Sequence, residues 1–323
     1  MISKNKLKEL AAYRLQKRCD EEAVFVVEGP KMAAEVLASR FTVRVVCATA
    51  EWWEGERSKV NCGRRPCGAK GEISEECYEV SPAELERLSN FKTPNQVWML
   101  VERQQNYPLP TTCYPLILAL DHIQDPGNLG TMLRTADWFG VRRVVCSRDT
   151  VSCYNPKVVQ ASMGAVLRTQ VDYVDLPAWL AACGMPVYGA SLQGEPLPTT
   201  HCPLPTHKVL LIGNESRGIS PEAMAQVTHP VLIPNLGGTA ESLNASVAAG
   251  ILMYYLQGVQ GVQEVQGEQG VQRSAGEYKG VQGSTKECRE VQRSAGEYKG
   301  VQGSTKECRG VQRSARQYHV DNN

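Results

Sequence analysis

Three loops in the second half of the chain combine glycine with Asn, Glu, Ser or Arg, side chains that can orient a polar substrate. They lie within 117–134 (ILALDHIQDPGNLGTMLR), 210–220 (LLIGNESRGIS) and 231–244 (VLIPNLGGTAESLN). Each loop follows a run of Val, Ile or Leu and closes where a helix is predicted to begin. Such runs are typical of parallel strands that are buried on both faces. Because ligands bind at the carboxyl ends of these strands in open α/β sheets, the three loops predict one shared site.

Each polar side chain in these loops also has a purely structural explanation. Asn128 could be the N-cap of a helix that begins at Leu129, and Ser242 could cap the last predicted helix. Arg134 could be a solvated helix residue, and Glu215 a surface acid. Taken one at a time, these explanations are preferred for every residue except Glu215.

Six glycines shared among the three loops favour a binding site over helix capping alone. Glycine has no side chain, so it lets a backbone approach a ligand closely. Capping does not require this freedom in three loops at once. The glycines are Gly127, Gly130, Gly213, Gly218, Gly237 and Gly238.

Other kinds of site lack their sequence motifs. No G-x-G-x-x-G follows the first strand of either predicted domain, and neither a P-loop nor a G-x-S-x-G nucleophile elbow is present. The five histidines show no metal-ligand spacing, so no metal is predicted. Cys62 and Cys67, with Cys77 further along, have no paired motif or nearby His, so reduced thiols are preferred to a zinc site.

Length and composition indicate an ordinary globular chain. With 323 residues, 42% of them hydrophobic, about two domains with a sizeable core are expected. The net charge of +1 gives no global sign of nucleic-acid binding, and the locally basic first 20 residues are explained by a solvated helix. No apolar signal segment follows Met1, and no run approaches the ~18 apolar residues of a membrane span, so a cytoplasmic location is predicted.

The pattern of elements predicts four segments. Residues 1–104 form a small α/β domain that starts with a basic helix through residue 18, and residues 105–115 form a proline-rich linker. Strands and helices alternate through 116–257, which predicts an α/β domain with a parallel sheet. In residues 258–323, the segment 271–290 recurs almost unchanged as 291–310, with a partial third copy from Val311. These residues contain no Leu, Ile, Met, Phe or Trp, so they are predicted to be disordered.

The three loops resemble those of the SpoU/TrmH branch of the SPOUT RNA methyltransferases. The first contains N-x-G-x-x-x-R-T-A (128–136), the second G-N-E-x-x-G (213–218), and the third I-P followed by S-L-N (233–244). The likeness covers roughly residues 1–256, because the VFVVEG segment near the N-terminus is similar to the family's ribosomal-protein-like substrate-binding domain. The repeat tail has no counterpart in the family.

The resemblance implies 2′-O-methylation of ribose in structured RNA, with S-adenosylmethionine as methyl donor. It further implies a trefoil knot around residues 205–256 and a homodimer whose two subunits together build the site. The implied cofactor contacts are Gly213, Ile233 and Leu243. The implied reaction-centre residues are Asn128, Arg134, Glu215, Ser242 and Asn244.

The chemistry of methyl transfer suggests a role for Arg134. A guanidinium does not ordinarily release its proton in a protein, so we expect Arg134 to stabilise negative charge on the ribose oxygen rather than to act as a base. Glu215 and Asn244 would then orient either Arg134 or the ribose. The N-terminal domain favours ribosomal RNA as substrate. Transfer RNA, or a non-catalytic RNA-binding role for the same fold, are the alternatives.

Overall fold

The computed structural model describes residues 2–56, 73–104, 113–196 and 204–257, all of which lie in one compact unit, Met1–Gly258. Its N-terminal part contains a mixed sheet of four strands in the order β1-β4-β2-β3. The strand β4 runs antiparallel to β1 and β2, whereas β3 runs parallel to β2. The strands are β1 (Val24–Glu28), β2 (Val43–Ala48), β3 (Ile73–Glu79) and β4 (Val97–Glu102). The helices are α1 (Lys4–Ala11), α2 (Gln16–Glu21), α3 (Pro30–Ala38), α4 (Ala50–Glu56) and α5 (Pro82–Leu88).

Local sequence signals account for the ends of these helices. Ser81 forms a capping box with Glu84 at the start of α5, and Pro30 occupies the first turn of α3, where its missing N–H costs nothing. The prediction of one basic helix through residue 18 is wrong, because a 3-10 turn and an extended Leu15 divide it into α1 and α2.

The C-terminal part contains a six-stranded sheet in the order β10-β8-β9-β5-β6-β7, and every pairing in it is parallel. The predicted α/β domain with a parallel sheet is therefore confirmed. The strands are β5 (Leu116–Leu120), β6 (Arg143–Ser147), β7 (Gln170–Val174), β8 (Val187–Pro196), β9 (Lys208–Ile212) and β10 (His229–Leu232). The helices are α6 (Pro126–Trp138), α7 (Pro156–Ser162), α8 (Leu176–Ala182), α9 (Pro221–Met224) and α10 (Ala245–Gln257).

The central strands are buried on both faces, as parallel strands usually are. Every residue of β5, β6 and β9 is buried, which is the burial pattern expected of strands covered by helices on either side. The two parts of the unit also share one apolar core, because Phe25 and Val27 of the first sheet belong to the same buried cluster as Leu118 and Val158 of the second part.

Several predictions fall on residues outside the described ranges. These are most of the linker 105–115, the tail 258–323 and the loop with Cys62 and Cys67. Cys77, in β3, is disulfide-bonded. Among the described residues, no helix has both the length and the apolar character needed to cross a membrane.

Candidate functional site

The three glycine-containing loops meet at the side chain of Asn128. Its amide nitrogen donates a hydrogen bond to Oε1 of Glu215, and its amide oxygen accepts one from Nδ2 of Asn244 at 3.0 Å. Each of these residues comes from a different loop, and the partners of Asn128 lie 87 and 116 positions further along the chain. The loops at the carboxyl ends of β5, β9 and β10 therefore come together, as the sequence predicted.

Asn128 is free for this role because another residue caps its helix. The helix α6 begins at Pro126, not at Leu129, and Asp125 is its N-cap, with the side chain accepting from the Asn128 N–H at 2.8 Å. The alternative that Asn128 is an N-cap is thus wrong. In the first turn of α6 its side chain projects from the helix and can contact the other two loops.

The second loop is shaped by Asn214. Its Oδ1 accepts from the N–H groups of Ser216 (2.9 Å) and Arg217 (3.2 Å), and its backbone pairs with Gly218 in both directions at 2.9 Å. Its Nδ2 donates to the carbonyl of His122 at 2.9 Å, which ties this loop to the one after β5. Glu215 lies at the exposed turn of this loop.

The third loop is organised by two asparagines. Asn235 accepts from the N–H groups of Gly237 and Gly238 and donates to the carbonyls of Gly238 and Ala240, so one side chain holds a whole turn. Asn244 precedes α10, and its Oδ1 accepts from the Ser246 N–H at 2.9 Å. Asn244, and not Ser242, therefore caps the helix, while its Nδ2 is left to contact the first loop.

The structure does not bring Arg134 into this network. Six helical residues separate it from Asn128, a rotation of roughly 240° after whole turns are removed, so the two side chains leave α6 in different directions. Arg134 is exposed and has no hydrogen-bond or ion-pair partner among the described residues. Glu215 and Asn244 contact Asn128 and do not contact Arg134.

The other four predicted site residues lie in the third loop or directly after β9. Gly213 is buried, Ile233 is half-buried against the main core, and Leu243 is 47% exposed. Ser242 is exposed and its hydroxyl has no hydrogen-bond partner among the described residues. Over the same ranges, no group of three or more His, Cys, Asp or Glu side chains is placed to hold a metal ion.

Sequence reasoning missed Asp121, which joins two of the loops. This carboxylate follows β5 directly and is 1% exposed. Its Oδ2 accepts from the Ser220 N–H at 2.7 Å, and its Oδ1 lies 2.7 Å from Nδ1 of His122. An acidic residue at the end of a wholly buried strand was the signal that could have revealed it, because a buried carboxylate must be hydrogen-bonded.

Three of the six predicted glycines are required within the protein itself. A Cβ on Gly213 would lie 2.2 Å from the backbone of Gly218, and a Cβ on Gly130 would lie 2.5 Å from the Cβ of Ala161 on α7. These two glycines are required by close packing within the protein itself. Gly237, with φ +103, is required for its backbone conformation.

Known protein families match both parts of the chain, including the residues of this site. Residues 115–254 match the model of the SpoU rRNA methylase family, and residues 4–98 match an MRM3-like substrate binding domain. A 23S rRNA (guanosine(2553)-2′-O)-methyltransferase, RlmP of Bacillus subtilis, is 30% identical over 256 residues, which are 78% of this chain and 96% of the relative.

Two solved structures extend the comparison to the fold. An RNA methyltransferase of the TrmH family from Porphyromonas gingivalis has a TM-score of 0.64 and 36% identity, covering 79% of this chain and 98% of its own. An AdoMet-bound rRNA methyltransferase from Sinorhizobium meliloti has the same TM-score with 25% identity, over 80% of this chain and 95% of its own. These matches cover the three loops, the parallel sheet and the N-terminal domain. This chain therefore belongs to the SpoU/TrmH family of RNA methyltransferases.

Proposed function

We propose that this protein transfers a methyl group from S-adenosylmethionine to a ribose 2′-hydroxyl of structured RNA, with ribosomal RNA favoured over transfer RNA. The observation that carries the proposal is the meeting of Asn128, Glu215 and Asn244, since these residues belong to the three motifs that resemble the family's. The similarity to RlmP, a 23S rRNA 2′-O-methyltransferase, supports the choice of ribosomal RNA.

The third loop fits a cofactor that carries a flat aromatic base and a positive sulfur. Leu236 is 94% exposed and Leu243 is 47% exposed. A bound cofactor would cover these apolar side chains beside the polar network. Glu215 places a carboxylate beside Asn128 in the polar network, which suits a sulfonium charge. Gly213, Ile233 and Leu243 are the proposed cofactor contacts, and the relative from Sinorhizobium meliloti is AdoMet-bound.

The residues of the chain would orient and polarise the ribose. Bound S-adenosylmethionine supplies a methyl group on a positively charged sulfur. Asn128, held at both ends of its amide, keeps a fixed orientation and retains one N–H and one oxygen lone pair for substrate. The unpartnered Ser242 hydroxyl is available to the same ribose, and Arg134 stabilises negative charge that develops on the 2′-oxygen.

We propose that Arg134 reaches a reaction centre through a homodimer. On α10, the exposed side chains Val247, Ile251 and Tyr254 follow a spacing of four and three, which places them on one face. On the neighbouring α6, Trp138 is 76% exposed and lies one helical turn after Arg134. An apolar surface of this kind supports contact with a second copy, because monomers rarely expose contiguous apolar patches.

The domain limits and the chain path are part of the same proposal. Residues 1–104 bind RNA, 105–115 link the domains, 116–257 carry out transfer, and 258–323 form a dispensable tail. The knot around residues 205–256 is supported by the sheet order, since β10 lies beyond β8 while α10 returns to pack on α6. The bacterial rRNA-modifying relatives support a cytoplasmic location.

A methylation assay tests the function directly. The full-length chain is incubated with S-adenosylmethionine labelled in its methyl group and with either unmodified ribosomal RNA or transfer RNA, followed by alkaline hydrolysis. We expect label in alkali-resistant dinucleotides from ribosomal RNA, because 2′-O-methylation blocks cleavage at that position. Label in transfer RNA alone would favour the alternative substrate. Failure to bind S-adenosylhomocysteine in calorimetry would favour a non-catalytic RNA-binding protein and contradict the proposal.

The role of Arg134 is tested by Arg134→Lys. A lysine keeps the charge and loses the planar donor geometry, so we expect turnover to fall while S-adenosylhomocysteine affinity stays within about two-fold. Turnover that survives within a few-fold shows that the arginine is not essential. Loss of cofactor affinity would instead make it a cofactor-site residue.

A further inference from the structure

The N-terminal domain is held against the methyltransferase domain by an aromatic contact. Phe25 of β1, which is fully buried, lies 4.8 Å from the ring of Tyr154, measured between centroids. On the same ring, the guanidinium carbon of Arg103 lies 4.9 Å from the centroid. Arg103 is itself fixed, since its Nε donates to the carbonyl of Val24 at 2.9 Å and it forms an ion pair with Asp20. Tyr154 is therefore enclosed by groups of the N-terminal domain.

A polar contact joins the same two parts at a second place. The guanidinium of Arg168 donates from Nε to Oδ2 of Asp137 at 2.9 Å and from a terminal nitrogen to Oε2 of Glu35 at 2.5 Å. Glu35 belongs to α3 and Asp137 to α6, so one side chain links a helix of each domain. Next to it, Gly164 has φ +90, and a Cβ there would lie 2.9 Å from the Glu35 carboxylate.

Both contacts lead to the helix that carries Asn128. Tyr154 lies two residues before α7, and α7 packs so closely on α6 that only glycine fits at position 130 opposite Ala161. Arg168 contacts α6 itself through Asp137. Domains within a chain are expected to move relative to each other unless their interface is apolar and extensive. Here the interface is continuous with the main apolar core.

We propose that this docking sets the distance and orientation at which RNA held by the N-terminal domain meets the transfer site, with Tyr154 and Arg168 as positioning residues. The proposal rests on the function proposed above and specifies how the substrate is selected. When the two domains are held rigidly, an RNA bound to the N-terminal domain reaches Asn128 at a high effective concentration. This holds only for an RNA whose two contact regions are separated by the same distance as the two domains' binding surfaces. Loosening the interface therefore weakens use of RNA and leaves the cofactor site intact.

Charge reversal at the ion pair provides the first test. Arg168→Glu faces two carboxylates and Glu35→Arg faces a guanidinium, whereas the double variant restores opposite charges between the domains. We expect each single variant to raise KM for RNA about three- to five-fold and the double variant to recover part of that rise, because Asp137 still faces the new carboxylate at position 168. Affinity for S-adenosylhomocysteine is expected to stay within about two-fold in all three.

The control breaks a similar ion pair that lies inside the N-terminal domain. Arg44 and Glu102 are 39% and 41% exposed, close to the 40% and 44% of Arg168 and Glu35, and Arg44→Glu should leave KM for RNA within about two-fold. An equal rise in KM for Arg44→Glu, or no recovery in the double variant, would overturn the proposal.

Tyr154 gives a second test that does not depend on surface charge. Tyr154→Phe keeps the ring between Phe25 and Arg103 and should behave like the wild type. Tyr154→Ala removes the ring, and we expect KM for RNA to rise about ten-fold or more with cofactor affinity unchanged. Wild-type KM for RNA in a folded Tyr154→Ala protein would contradict the docking role. A wild-type chain that binds no S-adenosylhomocysteine would instead overturn the proposed function.

Discussion

The contact between Asn128 and Glu215 can be tested by replacing one side-chain nitrogen with oxygen. Asn128→Asp replaces the amide that donates to Glu215 with a second carboxylate, while the oxygen that accepts from Asn244 is retained. Two like charges about 4 Å apart repel by about 1 kcal/mol in water and by about 4 kcal/mol at an effective dielectric of about 20. Because Glu215 is exposed, the lower end applies, and loss of the hydrogen bond adds about 1 kcal/mol.

The combined loss of about 2 kcal/mol corresponds to about a 30-fold fall in kcat/KM for methyl transfer to RNA. Asn128→Ala removes both hydrogen bonds without adding repulsion, and at about 1 kcal/mol for each bond it should cost about as much. The decisive variant combines Asn128→Asp with Glu215→Gln, which restores the hydrogen bond with donor and acceptor exchanged. We expect it to recover most of the lost activity. A kcat/KM for Asn128→Asp within two-fold of the wild type, or a double variant no better than the single one, would refute the idea that these side chains hold one another in place.

Three further predictions concern the loop after β9, the start of α6 and a buried carboxyl group. Gly213→Ala places a Cβ 2.2 Å from the Gly218 backbone, so we expect S-adenosylhomocysteine affinity to fall at least about ten-fold in calorimetry. Gly140→Ala, with φ +72 but open space, is the control and should leave that affinity unchanged. Asp125→Ala removes an N-cap and should lower the free energy of unfolding by about 1 kcal/mol in urea titrations; no measurable change would contradict the capping role. Burial raises the pKa of Glu28 above its ordinary value of 4.5, so the folded state binds more protons and the free energy of unfolding falls as pH rises between those two pKa values. Glu28→Gln should flatten that slope in urea titrations at several pH values, and an unchanged slope would assign it to another group.

The elements of this fold could largely be predicted from the sequence. The apolar runs that open the segments 117–134 and 210–220 lie in β5 and β9, and Ser81 followed by Pro82 is a recognisable signal for the start of α5. Such signals are local, because burial and capping depend on neighbours a few residues apart. The strand β3 was missed, since Ile73–Glu79 carries three acidic residues and lacks a continuous apolar run.

The motifs of the site were equally visible, but the contacts within it were not. Helix-capping rules allowed Asn128 to be a cap, and only the structure shows that Asp125 takes that position. Nor could the sequence show that Gly213 and Gly130 are crowded by the protein itself, because crowding inside a loop and close approach to a ligand both favour glycine. Arg134 belongs to the same motif as Asn128, and helix geometry nevertheless turns it away.

The sequence by itself determined which residues could act, through the types and spacing of three short motifs, and it determined the alternation of strands and helices around them. Only the tertiary structure decided that Glu215 and Asn244 orient Asn128 and that Arg168 ties the N-terminal domain to α6. The physical reason is distance along the chain. Contacts between residues 87, 116 and 133 positions apart depend on strand order and helix packing, and no local periodicity specifies these.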